Sequence, residues 1–284
     1  NLIVNPDPEV IRYRKNPRPS SVALRFARRW NLPNRKGAPS LQAALEAEGI
    51  QLAWFLAPNR VTGSVVTTPF VMPVWDLAHR EVQGFSEFSA NRQWSHREEI
   101  YEPNLGRAFH VVTDSIKTGK EIERIYGVYP HNWSSIGLPL PPKPHSNSRL
   151  ADSLQERYFY YPASYWPHKN HRVIIDALRS LPNSNFFLVF SGHDEGHRKS
   201  LERYVRDSGL TERVRFFGRI NDDEVQGLIE GSIAVLMPTT LGPTNYPPLE
   251  AWRSDIPAVV SSVHEFDALP HSGMISVDPH DRAG

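Results

Sequence analysis

YYPASYWPHKN (residues 160–170) and PTTLGPTNYPPLEAW (residues 238–252) are the two stretches whose reading decides the fold. Each is a polar, proline-rich loop that follows an apolar run and precedes a helical pattern. Proline and glycine interrupt regular structure, and in open α/β sheets the loops leaving the carboxyl ends of the strands hold the ligands. Two such loops in one half of a chain point to a ligand site built from both.

Outward from these loops the second half has a clear rhythm. Residues 158–161 read as a short buried strand, and 170–181 follow with Ile174, Ile175, Leu178 and Leu181 on one helical face. Residues 186–190 are apolar and end at Ser191-Gly192, and 199–208 place Leu201, Tyr204 and Val205 at helical spacing. Strand-like 214–217 closes on Gly218. Asn221 can then cap a helix, with Glu224 completing a capping box. Residues 233–237 and 258–260 are the last strands, separated by a short helix beginning near Leu249. Strands alternating with helices mean a parallel, doubly wound sheet.

The first half is less regular. Residues 41–48 read as helix, 51–55 and 70–75 as strands, 92–105 as a polar helix, 109–113 as a strand and 115–126 as a helix. LPLPPKPHSNSRLADS (138–153) is too rich in proline and polar residues to pack as a regular element. The expected division is a first domain over 1–140, a linker over 141–156 and a second domain over 157–284. The chain opens on Asn1 in an apolar fragment and stops at Gly284 after a turn, so both ends read as truncated.

Composition removes several classes. With 39% hydrophobic residues over 284 positions the chain can bury a sizeable core. A formal net charge of +1 argues against wholesale nucleic-acid binding. The absence of cysteine excludes disulfides, cysteine-ligated zinc and a thiol nucleophile, and with no leader pattern it fits a cytoplasmic protein. No G-x-G-x-x-G follows a candidate strand and no P-loop is present, which disfavours a dinucleotide oxidoreductase.

On spacing alone, two residues could carry chemistry. Lys169 lies between strand and helix, where a mobile positive charge adds to the helix dipole and could hold a diphosphate; the other reading, which spacing alone favours slightly, is a solvated lysine in a first turn. Glu250 follows a loop of Gly242, Pro243, Thr244 and Asn245: Gly242 permits close backbone approach, Thr244 and Asn245 supply short polar side chains, and the free N–H groups ahead of the helix could cradle phosphate oxygens. Its carboxylate could accept two hydrogen bonds from a ribose diol, or it could be an ordinary first-turn glutamate.

PASYWPHKNH (162–171), VFSG (189–192), RVRFFGRINDDEV (213–225), AVLMPTTLGPTNYPPLEAW (234–252) and IPAVVSS (256–262) resemble, in order and spacing, the donor domain of group 1 (GT4) retaining glycosyltransferases. That resemblance implies a GT-B fold, two Rossmann-like domains facing across a cleft. It implies a hexosyltransferase using a nucleotide-sugar donor, with no separate cofactor. Lys169 would bind the donor diphosphate and Glu250 the ribose, with Ser164, Asn170, Gly192, Gly242, Pro243, Thr244 and Asn245 as further donor contacts. Retention would follow a front-face route, in which the leaving diphosphate helps deprotonate the acceptor and no metal is required.

Two positions depart from the family pattern. Ser164 stands where an arginine is usual, and Gly242 where the first glutamate of E-x7-E is usual. The loop resembles a PTN-x-PPLEA variant, implying backbone and amide donors in place of a carboxylate; the alternative is a catalytically weak or inactive nucleotide- or glycan-binding relative. In the first half, VMPVWDLAHR (71–80) resembles the family's acceptor-side loop, which makes Asp76 and His79 candidates for steadying sugar hydroxyls or acceptor; a single structural hydrogen bond is the other reading of His79. The acceptor would be a glycan or a polyprenyl-linked glycan. Residues 11–36 hold nine Arg and Lys and no Asp or Glu, with Val22, Phe26 and Trp30 on one helical face. They read either as a solvated basic arm or as a peripheral contact with the inner face of an anionic membrane.

Overall fold

The computed structural model describes residues 2–3, 41–81, 84–138, 140, 142–146, 149–154, 157–182, 184–242, 245–263 and 273–281. The basic stretch 11–36 lies outside them, as do Pro243 and Thr244. Among the described residues no helix is long and apolar enough to cross a membrane.

The chain forms two compact units, Asn1–Glu81 with Phe88–Ile136, and Val82–Glu87 with Gly137–Gly284. The elements of the first half run β1 (Leu2–Ile3), α1 (Leu41–Ala47), β2 (Ala53–Phe55), β3 (Phe70–Val74), α2 (Ala78–Glu81), α3 (Ser86–Ser89), α4 (Gln93–Tyr101), β4 (His110–Thr113), α5 (Ile116–Tyr126) and β5 (Trp133–Ser135). The strands order β1-β2-β3-β4-β5, parallel except for the antiparallel β1–β2 pair. All five residues of β3 are buried, as expected of a central parallel strand covered on both faces. Met72, Val74, Val111 and Ile122 fill this core.

The second half runs α6 (Arg149–Ser153), β6 (Arg157–Pro162), α7 (His171–Arg179), β7 (Phe186–Ser191), α8 (Arg198–Asp207), β8 (Val214–Phe216), α9 (Asp222–Glu230), β9 (Ala234–Met237), α10 (Tyr246–Arg253), β10 (Ala258–Ser261) and β11 (Met274–Val277). Its six strands are all parallel, in the order β11-β10-β9-β6-β7-β8. After β6 the chain first builds outward through β7 and β8, then returns to lay β9 on the other side of β6. The direction of winding therefore reverses at the β6/β9 pair, and ligands bind outside the carboxyl ends of strands at such a switch point. The loops leaving β6 and β9 are the two that the sequence singles out.

Three expectations need correcting, and two strands were not foreseen. The stretch 138–153 does hold a regular element, the short helix α6. The polar helix of the first half is shorter than 92–105: it spans Gln93–Tyr101, and Asn91 and Arg92 before it have positive φ (53° and 59°). The helix expected near Leu249 begins at Tyr246, because Pro247 and Pro248 sit in its first turn, where a missing N–H costs nothing. Strands β5 and β11 were not among the expected elements; β11 has half-buried ends, Met274 and Val277, with two exposed residues between them. The capping box at α9 forms as expected, with Glu224 N donating to Asn221 Oδ1 at 2.9 Å and Asn221 N to Glu224 Oε2 at 3.1 Å.

Candidate functional site

The site is assembled at the carboxyl ends of β6, β7 and β9, within the second unit. Parallel pairing continues beyond the strands: Ala163 N donates to Ser191 O (2.9 Å) and Tyr165 N to His193 O (3.0 Å). The two loops touch so closely at Gly192 that a Cβ there would stand 2.2 Å from Ala163 O, which leaves room for glycine alone. Ser164 and Gly192 thus lie side by side as backbone, with the Ser164 nitrogen 2.7 Å from that hypothetical Cβ.

After Tyr165 the chain makes a 3-10 turn, Pro167–Lys169, and passes through Asn170 in the left-handed region (φ 56°, ψ 38°) before α7 begins at His171. Asparagine tolerates that conformation better than most residues, and its side chain secures it. Asn170 Nδ2 donates to Pro238 O at 3.2 Å and to Pro279 O at 2.7 Å. The His168 carbonyl accepts from Thr240 N at 2.9 Å and from the Thr239 hydroxyl at 3.1 Å. Tyr161 OH donates to Lys169 O at 2.7 Å. These bonds stitch the loop after β6 to the loop after β9 and place Lys169 between them.

Lys169 Nζ donates to Asn245 Oδ1 at 2.7 Å. Asn245 Nδ2 is buried and has no hydrogen-bond partner among the described residues. A buried amide donor left unmet costs on the order of 1–3 kcal/mol, so an acceptor supplied by a ligand would be stabilising there. Gly242, at φ 89°, turns the loop ahead of α10. Glu250 lies in the second turn of α10, half-buried, and makes no hydrogen bond or ion pair with a described residue. Burial raises its pKa above the ordinary glutamate value, opposed by the charge of Arg253. A first-turn dipole role does not apply at this position.

Asp76 and His79 belong to the first unit. Asp76 Oδ1 accepts from Ala78 N at 2.9 Å and pairs with Arg97. His79 has 0% exposure, and its Nε2 lies 2.6 Å from Glu98 Oε1. Arg80 and Tyr126 converge on the same carboxylate. Burial pulls the His79 pKa down, against the Glu98 hydrogen bond that raises it. For Glu98 burial works upward, and the bonds from Arg80, Tyr126 and His79 outweigh it, so its carboxyl stays below the usual range. The imidazole is thus closed off from solvent and held by packing. The structure gathers Lys169, Asn170, Asn245 and the turn at Gly242 into one place, and sets Ser164 and Gly192 on the neighbouring loop.

Residues that sequence reasoning passed over include Tyr161, His168, Thr239 and Thr240. The doublet of threonines after β9 was a usable signal, since short hydroxyls before a helix satisfy backbone groups; nothing in the spacing marked the His168 carbonyl.

Residues 145–268 match the family described as Glycosyl transferases group 1. The chain is 26% identical over 186 residues to the O-antigen chain mannosyltransferase RfbU of Salmonella typhimurium, a match covering 64% of this chain and 50% of the relative. In fold it is similar to sucrose-phosphate synthase from Thermosynechococcus elongatus (TM-score 0.69, 17% identity, 85% of this chain and 64% of that one). It is also similar to Anabaena HepE in complex with UDP-glucose (TM-score 0.67, 16% identity, 89% of this chain and 71% of that one). The chain therefore spans half the length of the curated relative it matches, and its fold is GT-B.

Proposed function

We propose that this chain, which carries the group 1 glycosyltransferase segment at residues 145–268 on a GT-B fold, moves a hexose from a nucleotide-sugar to a glycan or lipid-linked acceptor with retention of configuration. The reaction would serve the building of a polysaccharide or cell-envelope glycan, in keeping with the name of the O-antigen relative. The observation that carries the reading is the Lys169–Asn245 pair at the β6/β9 switch point, where a cation and a buried amide lacking an acceptor stand together.

A nucleoside diphosphate supplies what this arrangement lacks. Its phosphate oxygens would take hydrogen bonds from Lys169 Nζ and Asn245 Nδ2, with the N-terminus of α10 adding its dipole. Glu250 would accept from the ribose hydroxyls; as a carboxylate with no hydrogen bond or ion pair among the described residues, it gains by doing so. During transfer the bond between the anomeric carbon and the β-phosphate oxygen breaks and the acceptor oxygen takes its place on that carbon. The acceptor proton passes to the departing phosphate. Charge grows on the diphosphate in that step, and fixed donors that meet it lower the barrier more than they lower the ground state. Asp76 is our candidate on the acceptor side; His79 would act there only through the network that holds Arg80 and Glu98.

The test is release of nucleoside diphosphate from UDP-, GDP- and dTDP-sugars, with and without glycan acceptors. Release from one donor, lost in Lys169→Ala, supports the transferase reading. Nucleotide binding with no release from any donor favours the alternative, a non-catalytic nucleotide- or glycan-binding relative, for which Ser164 and Gly242 are the motive.

A further inference from the structure

The turn that presents Lys169 is itself held by a residue far away in the chain. Val82–Glu87 belongs to the second unit, although the chain on either side of it belongs to the first. The Glu87 side chain is 4% exposed, and its Oε1 accepts from His168 N at 3.2 Å and lies 2.7 Å from His168 Nδ1. The Phe85 ring meets the same imidazole edge-on, with centroids 6.3 Å apart. A carboxylate so far from water must be met by hydrogen-bond donors, and two of those it finds are on the residue preceding Lys169.

His168 is gripped from the other side as well. Its carbonyl accepts from Thr240 N (2.9 Å), Thr239 Oγ1 (3.1 Å) and Thr240 Oγ1 (3.2 Å). The N–H and ring are thus fixed by Glu87, and the carbonyl by the loop that leads to Asn245. Lys169 N closes the same 3-10 turn by donating to Trp166 O at 3.0 Å. A shift of His168 would therefore move both partners of the Lys169–Asn245 pair.

We propose that Glu87 is a positioning residue of the donor site: through His168 it sets the turn that aims Lys169 at the diphosphate and the register of the Thr239–Thr240 segment. This rests on the donor-site reading above. Glu87 touches no substrate in this account; it acts through His168. The consequence is that a residue outside the matched family segment, 145–268, tunes how tightly that segment holds its diphosphate.

A double-mutant cycle in the full chain separates positioning from plain packing. Binding of UDP, GDP, dTDP and ADP is measured by calorimetry for the unaltered chain, Glu87→Ala, Lys169→Ala and the double variant. Glu87→Ala is expected to weaken the bound nucleotide roughly ten-fold when Lys169 is present and to change little when it is absent. Glu87→Gln keeps an acceptor oxygen for the His168 N–H and is expected to lose only about three-fold, again confined to the Lys169 background; it carries the same test if Glu87→Ala fails to fold. An equal loss in both backgrounds, or no loss, overturns the proposal and leaves the donor site standing. If the unaltered chain binds no nucleotide, the transferase reading falls, and hydrogen exchange decides the remainder. Faster exchange of the Thr240 amide in Glu87→Gln, with Phe190 in β7 unchanged, supports the hold on the turn. Unaltered Thr240 exchange overturns it.

Discussion

Lys169 Nζ and Asn245 Oδ1 stand 2.7 Å apart although 76 residues separate them in the chain. Asn245 is a neutral acceptor, so this contact, unlike one with a carboxylate, cancels none of the lysine's charge. The pair therefore sets how strongly this site draws a diphosphate. Asn245→Asp should form an ion pair with Lys169 and repel phosphate oxygens, weakening nucleoside diphosphate binding on the order of ten-fold. Asn245→Ala, which removes the amide without adding charge, should weaken it less. Calorimetric titration of both variants checks the order.

Glu250 offers the opposite signature. Its carboxylate is half-buried, raised in pKa by burial, and makes no hydrogen bond or ion pair with a described residue. Glu250→Gln removes a poorly solvated charge, so the fold should be unchanged or more stable, by up to about 1 kcal/mol. Nucleotide binding should fall in the same variant. Urea denaturation alongside calorimetry reads both; a variant that lost stability and kept binding would contradict the assignment.

At Gly192 the backbone itself is the constraint. A Cβ would stand 2.2 Å from Ala163 O and 2.7 Å from Ser164 N, and backbone atoms do not swing aside as side-chain tips do. Gly192→Ala should cost about 2–3 kcal/mol, at the upper end for overpacked sites. Gly106→Ala, where nothing lies within 4 Å, is the control and should stay within about 0.5 kcal/mol. Chemical denaturation of the two variants measures the contrast.

His171 makes stability depend on pH. Its ring packs against Tyr161 (4.7 Å), Tyr165 (5.2 Å) and Phe190 (5.3 Å), and burial takes its pKa from 6.5 down to about 3. Between those values the unfolded chain binds a proton that the folded chain does not. Stability is thus lost as pH falls from 6.5 toward 3, by about 1.4 kcal/mol for each full unit inside that window. His171→Phe should remove that component, so its stability between pH 6 and pH 5 should fall less steeply than that of the unaltered chain. Denaturation at the two pH values gives the slopes.

Most of the second sheet was legible because its strands are unbroken apolar runs, Phe186–Ser191 and Ala234–Met237 among them, and because each is followed by a turn signal. Parallel strands covered on both faces write themselves this way. What was not legible was set by contacts distant in sequence. Trp133–Ser135 has the composition of a loop and becomes β5 only by pairing with β4. Nothing local to His79 announced that it would be sealed in by Glu98, Arg80 and Tyr126. The same holds at the site: the loops were visible as proline-rich punctuation, while the partnership of Lys169 with Asn245 depends on β6 and β9 becoming neighbours.

The most direct test is calorimetric titration of the chain with UDP, GDP, dTDP and ADP, repeated on Lys169→Ala and Glu250→Ala. The account predicts that one nucleoside diphosphate binds selectively and that each substitution weakens it at least ten-fold or so, the loss expected for a charge-assisted contact. Binding of none of the four, or binding indifferent to both substitutions, would contradict it.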